Sequence, residues 1–421
     1  MTNPAHHQSD HKNGLLRRVT VNFSWTLVGE VTSRGAVFFM TLYLARILGV
    51  ENFGLFTTVQ TGIYYLWLSV DLGTNMYGIK EVSRYRNAPG PLISELLSLR
   101  IFASLAVYVC FVFSVALINI NPVTRSLLFA AGLYLVFYAL YADWILKGLE
   151  LFSDLAIGNI VTGTALLIGL IFFVKDSGDT AAAASVWSVS YLFGAASMWW
   201  IIHQRKMFTI RIIFTPAGWL RHLRASIFFT LSGALGMAYQ FLPILLLWIF
   251  YGAFEIGIFS APYKLVFTIC TLGFFLPMSF YPILAHQHAH TPEQFNRTAS
   301  HMRIVMLVIG VPLGAVGYML GQNIVIMAYG EKYVESIYLF KILVWLIPIY
   351  FLRYTFGIPL NASGYQRYNT VGIAIGLLGM ISIGLPLIKI FGVEGGAIAL
   401  LISEVLTTTS MAYFYYKKLP D

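Results

Sequence analysis

Glu30, Arg34, Lys264 and Glu404 are ionisable side chains that stand well within apolar runs of this chain. A charge near a bilayer centre costs about 2.5–3.5 kcal/mol on insertion scales, so each should face a wet cavity or a partner. Glu30 and Arg34 are four residues apart and share one helical face. They can form a salt bridge that permits insertion, or Arg34 can receive an anionic group while Glu30 sets its orientation. Lys264 has no acidic residue within a helical turn, so its partner must come from elsewhere or it must line a cavity. Glu404 also lacks a local cation. Either an interhelical hydrogen bond or coupling to H⁺ or Na⁺ would explain it. Asp71, Asp143 and Arg353 fall nearer the ends of their apolar runs, where helix-end interactions or gate contacts are expected. The carboxamides of Asn22, Gln240 and Asn361 suit hydrogen bonds across helices or to sugar hydroxyls.

Bond-making chemistry is not expected. The sequence holds no Gly-x-x-x-x-Gly-Lys-Ser/Thr, HExxH or GxSxG motif, so no catalytic residue is assigned. His286, His288 and His290 alternate without neighbouring carboxylates or cysteines, which reads as a solvated loop and not as a metal site. Cys110 and Cys270 both lie in apolar runs and read as small buried hydrophobes. Neither a cofactor nor a metal is expected.

The elements that carry these residues are membrane helices. Of 421 residues, 58% are hydrophobic and only 11% charged, against about 25% charged in a soluble domain. That excludes an ordinary soluble enzyme. Apolar stretches of about 20 residues recur along the chain, which is what a ~30 Å hydrocarbon core requires. Twelve spans are expected, at 19–47, 53–80, 94–118, 123–147, 152–174, 181–203, 224–250, 256–286, 299–319, 336–360, 369–391 and 394–417. The net charge of +9 lies in alternate loops and not in an aromatic-laced basic face, so nucleic acid is not an expected partner. Lys12, Arg17, Arg18, Lys80, Arg84, Arg86, Lys147, Arg205, Lys206, Arg211, Arg221, Arg224, Arg297, Arg303, Arg367, Lys417 and Lys418 fall on one side, against only Arg46, Arg125, Lys175, Lys332 and Lys389 on the other, and the positive-inside rule makes the first side cytoplasmic. Both termini are then inside. Met1–Lys12 has no apolar region of the signal-peptide kind, and residues 1–18 read as a cytoplasmic tail.

The chain divides into an N-lobe (19–203), a basic cytoplasmic linker (204–223) and a C-lobe (224–421). Similar motifs recur in the two halves. Asn52-Phe53-Gly54-Leu55-Phe56 matches Glu255-Ile256-Gly257-Ile258-Phe259, and Lys147-Gly148-Leu149-Glu150 matches Ser363-Gly364-Tyr365-Gln366. Two six-helix lobes of one orientation, related by a pseudo-twofold axis along the membrane normal around a central cavity, are therefore expected. Prolines concentrate in the second half (Pro243, Pro262, Pro277, Pro282, Pro312, Pro348, Pro359 and Pro386), making it the candidate for greater bending.

Arg46-Ile47-Leu48-Gly49-Val50-Glu51-Asn52-Phe53-Gly54 resembles the signature that closes the first hairpin of Wzx-type polysaccharide flippases. Val70-Asp71-Leu72-Gly73, Asp143-Trp144-Ile145-Leu146-Lys147-Gly148 and Gly392-Val393-Glu394-Gly395-Gly396-Ala397 are also similar to that family. The resemblance runs from about residue 15 to 418. At Glu255 and Ile256 the second-half motif departs from the pattern. The implied fold is that of the multidrug/oligosaccharidyl-lipid/polysaccharide exporter superfamily, with alternating access. The implied activity is movement of an undecaprenyl-pyrophosphate-linked oligosaccharide across the bacterial inner membrane. Membrane lipids surround the protein, and a glycan polymerase and other polysaccharide-assembly proteins are candidate partners. Arg34 and Lys264 would then hold the phosphates.

Two other readings compete. A cation-coupled exporter of drugs or small molecules would favour buried carboxylates over buried cations. A membrane glycan polymerase or glycosyltransferase would need a sizeable outer loop with catalytic groups, and the outer loops here are short apart from Gly321 to Glu335. On the flippase reading, replacing Arg34 and Lys264 together by Ala should abolish export, whereas Arg34→Lys should retain part of it. Unchanged glycan assembly in cells carrying the double variant would contradict the expectation.

Overall fold

A computed structural model of the chain describes residues 4–85 and 88–419, with side chains from Ser24 onward apart from Thr26 and Ser232. Among the described residues all regular structure is helical. The helices are α1 (Pro4–Asp71), α2 (Thr74–Arg84), α3 (Gly90–Leu117), α4 (Pro122–Ala139), α5 (Asp143–Gly148), α6 (Phe152–Phe173), α7 (Thr180–Gln204) and α8 (Pro216–Phe250). They continue as α9 (Ala253–Leu272), α10 (Phe275–Ser279), α11 (Tyr281–His290), α12 (Pro292–Met319), α13 (Gly321–Tyr329), α14 (Ser336–Leu343), α15 (Leu346–Ala362) and α16 (Gln366–Lys418).

Ten stretches of described helix are long and apolar enough to cross a membrane. Two of them, Leu27–Asp71 at 45 residues and Gln366–Lys418 at 53, exceed what one crossing needs. Each is broken by a glycine: Gly49 has φ 75° and ψ 177°, and Gly392 has φ 63° and ψ −144°. Only glycine adopts such backbone at little cost, so α1 and α16 each consist of two helical arms. Elsewhere proline and capping set the boundaries. Asn121 accepts from the Thr124 N–H at 2.7 Å with Pro122 in the first turn, and Gly364 (φ 80°) turns the chain from α15 into α16.

The eighth expected span, 256–286, is instead three helices, because Pro277 and Pro282 withdraw backbone donors between α9 and α11. His286, His288 and His290 were expected in a loop and lie in the last turns of α11, where Pro282 starts the helix and Thr291-Pro292 ends it. His286 and His290 stack at 4.5 Å, as helical i,i+4 neighbours do. Among the described residues these histidines belong to no metal-binding cluster.

The chain packs as two units. The first comprises residues up to 40, 62–175 and 179–231; the second comprises 41–61, 176–178 and 232–421. The unit boundaries fall elsewhere than those of the lobes drawn from sequence, at 41–61, 176–178 and 204–231. The segment 41–61, which spans the Gly49 bend, belongs to the second unit, where Arg46 donates to the carbonyls of Met327 and Ala328 (2.7 Å for Ala328) and Tyr333 donates to the Ala45 carbonyl at 3.1 Å. The linker belongs to the first unit. Its backbone N–H groups at Arg211 and Ile213 donate to Ser94 and Ser98 of α3, and Ser226 donates to the Leu72 carbonyl at 2.8 Å.

In the first unit α7 packs on α4 and α6, and α5 packs on α2. Trp144 is fully buried there, with its ring lying over Gly78. In the second unit the two matched motifs meet. A β-carbon on Gly54 would overlap the Ala253 carbonyl, and one on Gly257 would overlap the Val50 carbonyl. The second arm of α1 and α9 therefore cross in backbone contact, as small residues allow in membranes.

Gly54→Ala should accordingly lower stability by about 1–3 kcal/mol. Gly35→Ala, which meets nothing within 4 Å, should be neutral or stabilising by up to about 1 kcal/mol. Thermal unfolding in detergent checks the pair. Equal midpoints would contradict the close crossing.

Candidate functional site

The close crossing in the second unit fixes the position of Lys264. Gly257 and Lys264 are two helical turns apart on α9, while Thr57 and Gln60 lie about one and two turns beyond Gly54 on α1. The Lys264 ammonium donates to Gln60 Oε1 at 3.0 Å and Thr57 Oγ1 at 3.2 Å, and it lies 5.2 Å from the ring centroid of buried Phe53. Among the described residues no carboxylate comes within 4 Å of it. A partly buried ammonium held by two neutral oxygens and an aromatic face keeps unspent capacity to attract an anion.

The same unit pairs two residues that the sequence left separate. Arg353 of α15 and Glu404 of α16 form an ion pair, with Nη1 at 3.1 Å from Oε2 and 3.2 Å from Oε1. Glu404 is fully buried, and the guanidinium lies 4.2 Å from the Tyr350 ring centroid and 5.3 Å from that of Tyr354. Glu404 therefore has a cation, supplied by another helix and not by its own. Gln240 accepts a hydrogen bond from Tyr263 at 2.7 Å through its backbone carbonyl. Asn361 Oδ1 accepts from Asn369 at 3.1 Å. Tyr329 and Tyr333, between the long apolar helices, donate to the carbonyls of Ala261 and Ala45. Burial pushes both hydroxyls above the ordinary tyrosine range, so they remain protonated donors.

In the first unit Arg34 bonds Glu30 at 3.1 Å, and both side chains keep 38% of their exposure. The intrahelical bridge is thus formed on a partly exposed face. Glu30 borders a cavity of ≈ 150 Å³ that is also lined by Tyr141, Asp143, Lys147, Asn159 and Tyr191. Asp143 is buried, accepts from Lys147 at 2.8 Å and is reached by the Asn75 carboxamide at 3.2 Å. Lys147, assigned from sequence to a cytoplasmic loop, lies within α5 and lines this cavity. Asp71 ends α1 and accepts from the N–H groups of Gly73 and Asn75, so its carboxylate holds the bend into α2. The Asn22 side chain lies outside the described residues.

Sequence reasoning missed Arg100. Its side chain is fully buried in α3, with Nη2 3.8 Å from Asp71 and the guanidinium 5.4 and 5.7 Å from the ring centroids of Trp67 and Trp144. Its nitrogens make no hydrogen bond among the described residues. The available signal was an arginine inside an apolar run at about the same depth as Asp71 and Asp143, with tryptophans nearby. Also missed was the contact of α2, α3 and α8, where buried His222 bonds Glu95 at 2.7 Å and Tyr77 at 3.2 Å. Arg34 and Lys264 belong to different units.

The family model for "Polysaccharide biosynthesis protein" matches residues 19–288, more than half of the chain. A "Putative O-antigen transporter" of Shigella dysenteriae is 22% identical over 386 residues, covering 89% of this chain and 94% of the relative. Among solved structures, "Lipid II flippase MurJ, inward closed conformation" is similar with a TM-score of 0.75 at 13% identity, over 92% of this chain and 87% of that one. An inward-facing multidrug resistance MATE family transporter of the MOP superfamily gives a TM-score of 0.71 at 11% identity, over 94% of both chains. At these identities the structural likeness concerns the fold, an all-α polytopic transporter fold. The sequence match is of a different kind: the chain belongs to the polysaccharide biosynthesis protein family.

Proposed function

We propose that this chain is a flippase moving undecaprenyl-pyrophosphate-linked oligosaccharide repeat units across the bacterial inner membrane by alternating access, and not an enzyme. The observation that carries the reading is Lys264: an ammonium in an apolar helix, held by Thr57 and Gln60 with no carboxylate within 4 Å among the described residues. An insertion cost of about 2.5–3.5 kcal/mol makes such a group a functional candidate by default. A pyrophosphate would supply the missing negative charge. Arg34, on its partly exposed face, is the second cation assigned to the headgroup. The name of the Shigella relative and the flippase title of the structural neighbour support the same class of cargo. Both termini are assigned to the cytoplasm on the loop charges, and polysaccharide-assembly proteins are the proposed partners.

The buried acids argue against an exporter of cationic drugs. Among the described residues Glu81, Asp143, Asp154 and Glu404 are the buried carboxylates, and each has a cation within 4 Å: Lys80, Lys147, Arg205 and Arg353. None is left for a cationic ligand. These pairs read as devices that let charge enter the membrane, and breaking one leaves an uncompensated buried ion.

Two tests follow from these assignments. In proteoliposomes, the wild-type chain should accelerate movement of a fluorescent lipid-linked oligosaccharide to the opposite leaflet. Lys264→Met should slow it at least about tenfold, the loss of roughly one charge-assisted hydrogen bond, and Lys264→Arg should retain part. Wild-type vesicles no faster than protein-free vesicles would refute the assignment. Separately, Arg353→Ala should destabilise the fold by about 3–5 kcal/mol, while Arg353→Met combined with Glu404→Leu should recover most of that loss. Unfolding midpoints in detergent distinguish the two variants. A double variant no more stable than Arg353→Ala would contradict a structural role for the pair.

A further inference from the structure

Where α15 turns into α16 the second unit holds an open groove of ≈ 460 Å³, within the size range of small-molecule sites. It is lined by the amide residues Asn361, Gln366 and Asn369 and by Thr370, with Phe274, Tyr281, Met278 and Ile358 alongside. No Asp, Glu, Lys, Arg or His lines it. Three carboxamides and a hydroxyl facing hydrocarbon would leave donors and acceptors unpaired at a cost of kcal/mol each, so the groove faces water or a polar ligand.

The internal bonding leaves capacity for that ligand. Asn369 donates to Asn361 Oδ1 at 3.1 Å, which orients the Asn361 amide so that its own N–H₂ is not consumed by that bond. The Thr370 hydroxyl donates back to the Gln366 carbonyl at 3.2 Å, leaving its lone pairs as acceptors. Gln366 is exposed and lines the groove. Arg367 beside it is turned to the Tyr368 hydroxyl at 2.8 Å and does not line the groove. Groups that both donate and accept, set beside aromatic faces and without fixed charge, suit a neutral polyhydroxylated ring. They do not suit a phosphate or a cation, each of which needs an opposite charge.

We propose that this groove binds the sugar portion of the lipid-linked oligosaccharide, separately from the pyrophosphate assigned to Lys264. The carboxamides bond the hydroxyls, and Phe274 and Tyr281 cover a sugar face. The assignment rests on the flippase reading and gives it a second contact of opposite character, neutral and directional where the first is charged.

The test uses the purified full chain and three probes: lipid-linked oligosaccharide extracted from the host bacterium, the free oligosaccharide released from it by mild acid, and sugar-free undecaprenyl pyrophosphate. The variants are Tyr281→Ala with Gln366→Ala, and Thr370→Val alone, none of which removes a fully buried side chain; unfolding midpoints confirm their folding. The double variant should bind the free and lipid-linked oligosaccharide about tenfold more weakly, the loss of one or two hydrogen bonds and a ring contact. Thr370→Val should weaken both less, and affinity for sugar-free undecaprenyl pyrophosphate should stay at the wild-type value. Folded variants that bind both oligosaccharides as the wild type does would overturn the groove assignment and leave the flippase reading standing. A wild-type chain that binds neither the lipid-linked oligosaccharide nor undecaprenyl pyrophosphate would overturn the flippase reading and this assignment with it.

Discussion

The crossing of α1 and α9 at Gly54 and Gly257 is the contact on which the second unit's chemistry depends. Each glycine faces a backbone carbonyl of the other helix, Gly54 that of Ala253 and Gly257 that of Val50, with no room for a β-carbon. Helices held this close bring side chains one and two turns away into direct contact. Lys264 thereby reaches Gln60 and Thr57, and Phe53 comes beneath it. A wider crossing, with side chains at the contact, would put these groups beyond bonding distance. Glycine at one sequence position and lysine seven residues later are thus parts of one device: the first sets helix separation, the second uses it.

Several charges of the apolar helices are paired, whether along one helix (Glu30–Arg34, Asp143–Lys147) or between helices (Asp154–Arg205, Arg353–Glu404), whereas Arg303 and Lys341 lie against aromatic rings. Pairing offsets a desolvation cost that an isolated ion could not meet. Arg100 is an intermediate case, near Asp71 but without hydrogen bonds, and uses the faces of Trp67 and Trp144 instead. Lys264 is held by the neutral oxygens of Thr57 and Gln60 beside the Phe53 ring, and it, not the paired acids, is assigned to the cargo.

Much of this was legible in the sequence, for identifiable reasons. Apolar runs and their length are a direct consequence of bilayer thickness, so the helical membrane class followed from composition and periodicity alone. The bends at Gly49 and Gly392 fall where the expected hairpins close, because a glycine between two apolar runs is a strong local signal. Pairings between distant helices were not legible. Glu404 looked isolated because Arg353 is 51 residues away and nothing local encodes their approach. The surroundings of Arg100 were not legible either, because Asp71, Trp67 and Trp144 lie on other helices and nothing local encodes their approach. The histidines of α11 were placed in a loop because polar residues before a proline mark either a loop or a last helical turn. The two matched Phe-Gly and Ile-Gly motifs were visible as a repeat, but their mutual contact was not.

Lys264 as the receptor for a pyrophosphate is the central claim, and direct binding of a short-chain isoprenyl pyrophosphate tests it without requiring transport. Calorimetric titration of the full-length wild type and of Lys264→Gln should give an affinity about tenfold lower for the variant. The matching isoprenyl alcohol should bind the two proteins equally. An unchanged pyrophosphate affinity in a folded Lys264→Gln protein would contradict the claim.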